Sequence, residues 1–148
     1  MQEASGSRAD DHAVGGGGPP AARAAFAALD RVLARIGVEP HRPAPLERGF
    51  TVPCGDWPLH VGARVVEGLL AVQAEVAPPG TIDPSWLLHR NRRDLRLVRF
   101  GSSAAGATWV HGELPLGAAD DEALDALLGR LLSAAEAARA VATRPEWA

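Results

Sequence analysis

Apolar and polar positions alternate along this chain with two different periods, and the order in which the periods change outlines its elements. From Ala21 to Gly37 the run AARAAFAALDRVLARIG sets Ala22, Phe26, Leu29, Leu33 and Ile36 three and four residues apart, which is one face of a helix. Gly37 reads as its stop. The next stretch, EPHRPAP (39–45), carries three prolines and reads as a connector. GFTVPC then puts Phe50, Val52 and Cys54 on one side of an extended strand; Pro53 has no N–H to give a ladder, so this strand is an edge or breaks at its end. WPLHVGARVV alternates, with Trp57, Leu59, Val61, Ala63 and Val65 facing a core and His60 and Arg64 facing away. After a tight turn at Glu67 and Gly68, Leu70, Val72, Ala74 and Val76 oppose Gln73 and Glu75, completing a hairpin.

The period then returns to that of a helix. Asp83 is a good N-cap and Pro84 fits the first helical position, where no backbone donor is needed; Leu87, Leu88 and Asn91 share one flank. LRLVRF (95–100) and ATWVHGELPL (107–116), joined by the small-residue turn GSSAAG, form a second hairpin in which Val110, Gly112 and Leu114 alternate with Trp109, His111 and Glu113. A final helix opens on Asp120, Asp121 and Glu122, where the helix dipole favours acids, and runs to about Ala140. Leu124, Leu127, Leu128, Leu131 and Ala135 are its stripe, and its length of roughly 30 Å is enough to cross a sheet. The order α-β-β-β-α-β-β-α predicts an α+β fold with helices packed on an antiparallel five-stranded sheet. Residues 1–20, ending in four glycines and two prolines, read as a flexible leader; 21–142 form one domain and 143–148 a C-terminal tail.

Composition removes some function classes. The 148 residues carry a net charge of −3, which argues against a general nucleic-acid binder. No apolar run approaches the ~18 residues that span a bilayer, and the N-terminal stretch lacks the apolar core of a signal peptide, so a cytoplasmic protein without a membrane partner is expected. The single cysteine, Cys54, excludes an internal disulfide and, on the apolar side of its strand, reads as a buried inert thiol. His12, His41, His60, His89 and His111 show no metal-ligand spacing, and Ser102 and Ser103 have no nucleophile elbow around them. No metal, cofactor or catalytic residue is expected.

LLHRNRRDLRLVRF, then WVHGELPL, then a Leu- and Ala-rich helix beginning in acids resembles the YbjN and type III secretion chaperone superfamily over residues 21–140. The resemblance rests on a short helix with a central Asn (Asn91), a strand ending in an aromatic (Phe100) and a strand ending in ELPL (113–116). It implies a small, non-enzymatic, peptide-binding protein that acts as a homodimer. The glycine-rich leader and proline-rich connector depart from the secretion-chaperone pattern.

Two groups of residues are candidates for that activity. By alternation Trp109 projects onto the polar face with His111; Leu97 and Arg99 share that face if the second hairpin keeps its register, and a one-residue slip reverses the assignment. An aromatic there covers a neighbouring hairpin or contacts an extended peptide. Arg90, Arg92, Arg93, Arg96 and Arg99 lie within ten residues. They form either a solvated face or an Arg-rich rim around a dimer interface at Trp86, Arg90 and Arg93. A peptide client would be held by strand addition or in apolar pockets; the alternative is a docking module with no affinity for unfolded segments.

Overall fold

A computed structural model describes residues 18–142. Helix α1 (Pro19–Arg35) is followed by strands β1 (His41–Ala44), β2 (Glu47–Val52), β3 (Leu59–Val66) and β4 (Leu69–Ala77), helix α2 (Pro84–Arg93), strands β5 (Val98–Ser102) and β6 (Thr108–Pro115), one 3-10 turn (Leu116–Ala118) and helix α3 (Asp121–Val141). The strands form one antiparallel sheet in the order β1-β2-β3-β4-β6-β5. Helices α1 and α3 cover one face, and the core lies between them and the sheet.

The class and the element order expected from the sequence are present, but the sheet has six strands, not five. The extra strand, β1, lies inside the proline-rich connector. Its backbone pairs with β2 at His41↔Gly49 and Ala44↔Glu47, and its side chains are tied to α1: Arg42 donates to Asp30, which also accepts from Arg48 at 2.9 and 3.1 Å. Arg48 is itself buried, with its guanidinium 5.0 Å above the Phe26 ring. Such a strand has no apolar alternation to announce it. Helix α1 also starts earlier than expected, with Pro19 and Pro20 inside its first turn, where a missing N–H costs nothing. The rest of the leader and the tail at 143–148 lie outside the described residues.

Alternation was a sound guide in the interior strands. Leu59, Val61 and Ala63 are buried, as are Leu70, Val72, Ala74 and Val76 opposite them. Glu67 and Gly68 both have positive φ, the turn whose twist matches a two-residue hairpin. Pro53 falls just past β2, which ends at Val52, and the edge position is taken by β1.

Four apolar residues are not where periodicity put them. Trp57 precedes β3 and is 39% exposed, lying under the Arg139 guanidinium at 4.5 Å rather than in the core. Ile36 caps α1 beyond its last turn and is 57% exposed. Leu88 is 67% exposed because α2 turns only Leu87 and Trp86 toward the core. Leu97 lies outside β5, which begins at Val98, and has φ +70°.

Both edges of the sheet are blunted. On β1, Pro43 has no N–H to offer. On β5, the Asn91 side chain occupies the place of a neighbouring strand: its Oδ1 accepts from the Phe100 N–H at 2.8 Å and its Nδ2 donates to the Phe100 carbonyl at 3.1 Å. The central asparagine of the short helix therefore has a structural task, which is to fasten α2 against the open backbone of β5.

Candidate functional site

Side chains with odd parity on β6 emerge on the sheet face opposite α1 and α3. There the register sets Trp109 beside Glu75 and Gly101, and His111 between Gln73 and Arg99. Arg99 and His111 each approach the Glu113 carboxylate, at 3.9 and 3.8 Å. Trp109, Arg99 and His111 are thus brought together on one face, as alternation required. Leu97 is not with them. Its left-handed backbone ends the extended run, and its carbonyl lies 2.6 Å from where a Cβ on Gly112 would stand, so the chain crosses close over β6 instead of continuing as strand. His60 and His111 are separated by β4; His60 Nδ1 instead lies 3.0 Å from Thr51 Oγ1.

The second group is divided by the packing of α2. Trp86 is half-buried against Phe100, with ring centroids 6.1 Å apart. Arg90 lies over the Trp86 ring at 5.0 Å and pairs with Asp94 at 3.1 Å. These two residues fasten α2 to the sheet, whereas Arg93 and Leu88 are exposed on its outer side. Arg96 folds back onto the Leu95 carbonyl and Arg99 belongs to the open sheet face, so the five arginines do not form a single strip.

Periodicity did not disclose an apolar pocket of about 250 Å³ between α1, α3 and strands β2 and β3. Val32, Leu33 and Ile36 form one wall, Leu128, Leu131 and Leu132 the other, and Phe50, Val52 and Val61 the base. Its signal in the sequence was an excess of apolar residues: Leu132 follows Leu128 at i+4 and widens the stripe of α3 beyond what one sheet contact needs. At the N-terminal end of α3, Asp121 accepts from Arg31 and Arg35 of α1. The Arg31 hydrogen bond is the main cause of its carboxyl being held down at about 2.

Among the described residues no group of three His, Cys, Asp or Glu could hold a metal ion, and burial pushes the Cys54 thiol up, away from the thiolate a nucleophile needs. The Arg139 guanidinium beside it is spent on carbonyls, those of Val76, Cys54 and Trp57 at 2.9, 2.9 and 2.6 Å. Among the described residues no helix is long and apolar enough to cross a membrane.

No family model matches the sequence, and no curated protein is similar to it. Solved structures do match. A chain of the ExoT–SpcS complex from Pseudomonas aeruginosa superposes with a TM-score of 0.60 at 19% identity, over 82% of this chain and 100% of that one. The chain has a type III secretion chaperone-like fold. A chain of the HopA1–SchA chaperone–effector complex gives 0.60 at 11% identity (83% and 98% covered), and the Yersinia pestis secretion chaperone SycH with a fragment of YscM2 gives 0.53 at 15% (77% and 98%). The fold implied by the resemblance read from the Asn91, Phe100 and ELPL segments is therefore matched in three dimensions by type III secretion chaperone structures.

Proposed function

We propose that this secretion-chaperone-like domain is a non-enzymatic, cytoplasmic peptide-binding protein that receives apolar side chains of an extended client segment in the pocket between α1 and α3. The observation that carries this reading is the pocket itself: about 250 Å³ lined by nine apolar residues and left unfilled by the described chain, with Ile36 exposed at its mouth. A cavity of that size accepts one or two large aliphatic or aromatic side chains, and concave apolar sites are where proteins gain affinity from few contacts. Strand addition is the less suitable mode here, since Pro43 blunts one edge of the sheet and Asn91 occupies the other. The face bearing Trp109, Arg99 and His111 is on the opposite side of the sheet and serves as a second contact for a client long enough to wrap around the domain.

The domain acts as a homodimer through the outer side of α2, where Leu88 and Arg93 are free to meet a second copy; Trp86 and Arg90 support that surface from beneath. Light scattering coupled to size exclusion tests this part: a mass near twice 15.4 kDa that Leu88→Asp or Arg93→Glu halves is expected, and a wild-type monomer refutes it. Peptide binding is tested by selecting phage-displayed random peptides on the full chain. Enriched peptides carrying Leu, Ile, Phe or Met, whose binding Leu132→Asp abolishes in a variant that stays folded, are the expected result. No enrichment, or enrichment indifferent to Leu132, overturns the reading.

A further inference from the structure

The apolar pocket continues beyond its own rim. Gly129 and Asp125 line it on one side of α3 and on the other side line a larger concavity of about 530 Å³, enclosed by α2, the segment leading into β5 and α3 itself. This second hollow is of mixed character, with Arg90, Asp94, Arg96, Arg130 and Ser133 lining it beside Leu95 and Val98. Gly129 therefore sits on a crest between an apolar basin and an arginine-bearing one.

The residue on that crest is unusual for its place. Glycine is the least favourable residue after proline in a helix interior, and Gly129 is in the middle of a 21-residue helix. A Cβ there would meet no atom of the described chain within 4 Å. No internal close approach explains the glycine; it leaves the crest bare on its outer side. The charges beside it are equally unspent. Arg90 is paired with Asp94, but among the described residues Arg96 and Arg130 have no carboxylate partner. Asp125, facing both basins, disfavours an acid near the crest and leaves the far side of the second hollow as the place for one.

Building on the peptide-binding reading above, we propose that an extended client segment crosses α3 at Gly129, with an apolar side chain seated in the pocket and an Asp or Glu side chain placed against Arg96 and Arg130. A helix is about 10 Å across with its side chains and an extended chain advances about 3.3 Å per residue. Side chains of an extended chain reach one face only at even spacings, so the two anchors are four residues apart, about 13 Å, which gives the segment the pattern apolar-x-x-x-acid. Bare backbone at the crest lets the client's own backbone lie close, and the unpaired guanidinium groups supply charge-assisted hydrogen bonds to the acid.

The test uses peptides selected on the wild-type chain, titrated by fluorescence anisotropy against variants of the full protein. Gly129→Leu is expected to melt at or above the wild-type temperature, because leucine is the better helix former and meets no clash, while weakening binding about tenfold or more. Gly129→Ala, a smaller obstruction, should weaken it less. Arg130→Glu should weaken peptides that carry the acid, and replacing that acid by Gln should remove the difference between wild type and variant, the signature of a direct pair. Peptides that lose binding in Leu132→Asp yet bind Gly129→Leu and Arg130→Glu within twofold of wild type overturn the crossing and leave the peptide-binding reading standing. Failure to select any peptide overturns both.

Discussion

Replacing Asn91 by Ala removes the side chain that, among the described residues, closes the outer edge of β5. Two hydrogen bonds are lost, from the Phe100 N–H to Oδ1 at 2.8 Å and from Nδ2 to the Phe100 carbonyl at 3.1 Å. Each is worth about 1 kcal/mol net, and a backbone group left without a partner adds to that, moderated here because Asn91 is only half-buried and water can reach part of the gap. The expected cost is about 2–3 kcal/mol. For a domain of this size that lowers the melting temperature by about 8–12 °C. Urea denaturation measures the loss, and hydrogen exchange locates it: the Phe100 amide should lose most of its protection while the amides of β3 and β4 keep theirs. Asn91→Asp separates the two bonds, since a carboxylate still accepts from the Phe100 N–H but faces the Phe100 carbonyl with no proton to donate. It should restore protection at Phe100 without restoring stability. If Asn91→Ala costs less than about 0.5 kcal/mol and leaves Phe100 protected, the asparagine is not what closes this edge.

Further outcomes follow from other sites. Gly112→Ala should destabilise by about 1–3 kcal/mol or more, because its Cβ would stand 2.6 Å from the Leu97 carbonyl and 2.9 Å from both Leu127 Cδ1 and Val98 Cγ1; urea melts decide, and a neutral result refutes the close approach. Arg139→Met should cost about 3 kcal/mol by leaving the Cys54, Trp57 and Val76 carbonyls unpaired, and should change Trp57 fluorescence in the native state. Asp30 and Asp121 both titrate below the ordinary carboxylate range. At Asp30 burial pulls upward, but hydrogen bonds from Arg48 and Arg42 outweigh it; at Asp121 the Arg31 hydrogen bond leads. A depressed folded-state pKa gives stability that is complete above about pH 4 and fades as pH falls, for Asp121 through about 2. Asp121→Asn should therefore melt below wild type at pH 5, with the gap narrowing as pH falls and closing only below about pH 2, and a difference independent of pH contradicts the ion pair.

Much of the fold follows from local physics that a sequence carries openly. The hairpin β3–β4 was legible because its residues alternate and Glu67-Gly68 suits the turn; α2 was legible from Asp83 as N-cap and Pro84 behind it, and Asp83 does accept from the Ser85 N–H. The grouping of Trp109, Arg99 and His111 on one face needed only the period of a strand and a correct register. Where periodicity failed, a partner distant in sequence decided the outcome. β1 is strand because β2 and Asp30 hold it, in a segment whose prolines argue for a connector. Trp57 lies outside because Arg139, eighty-two positions away, supplies a cation for its ring and takes its carbonyl. Leu97 leaves the strand register because the chain turns over Gly112 on the neighbouring strand. The pocket between α1 and α3, and the bare crest beside it, exist only where two helices separated by the whole sheet come side by side. Sequence determined which segments are helix and strand and which of their faces are apolar; tertiary structure decided which apolar residues stay uncovered, since that depends on how far apart two packed surfaces stand, a distance no local pattern encodes.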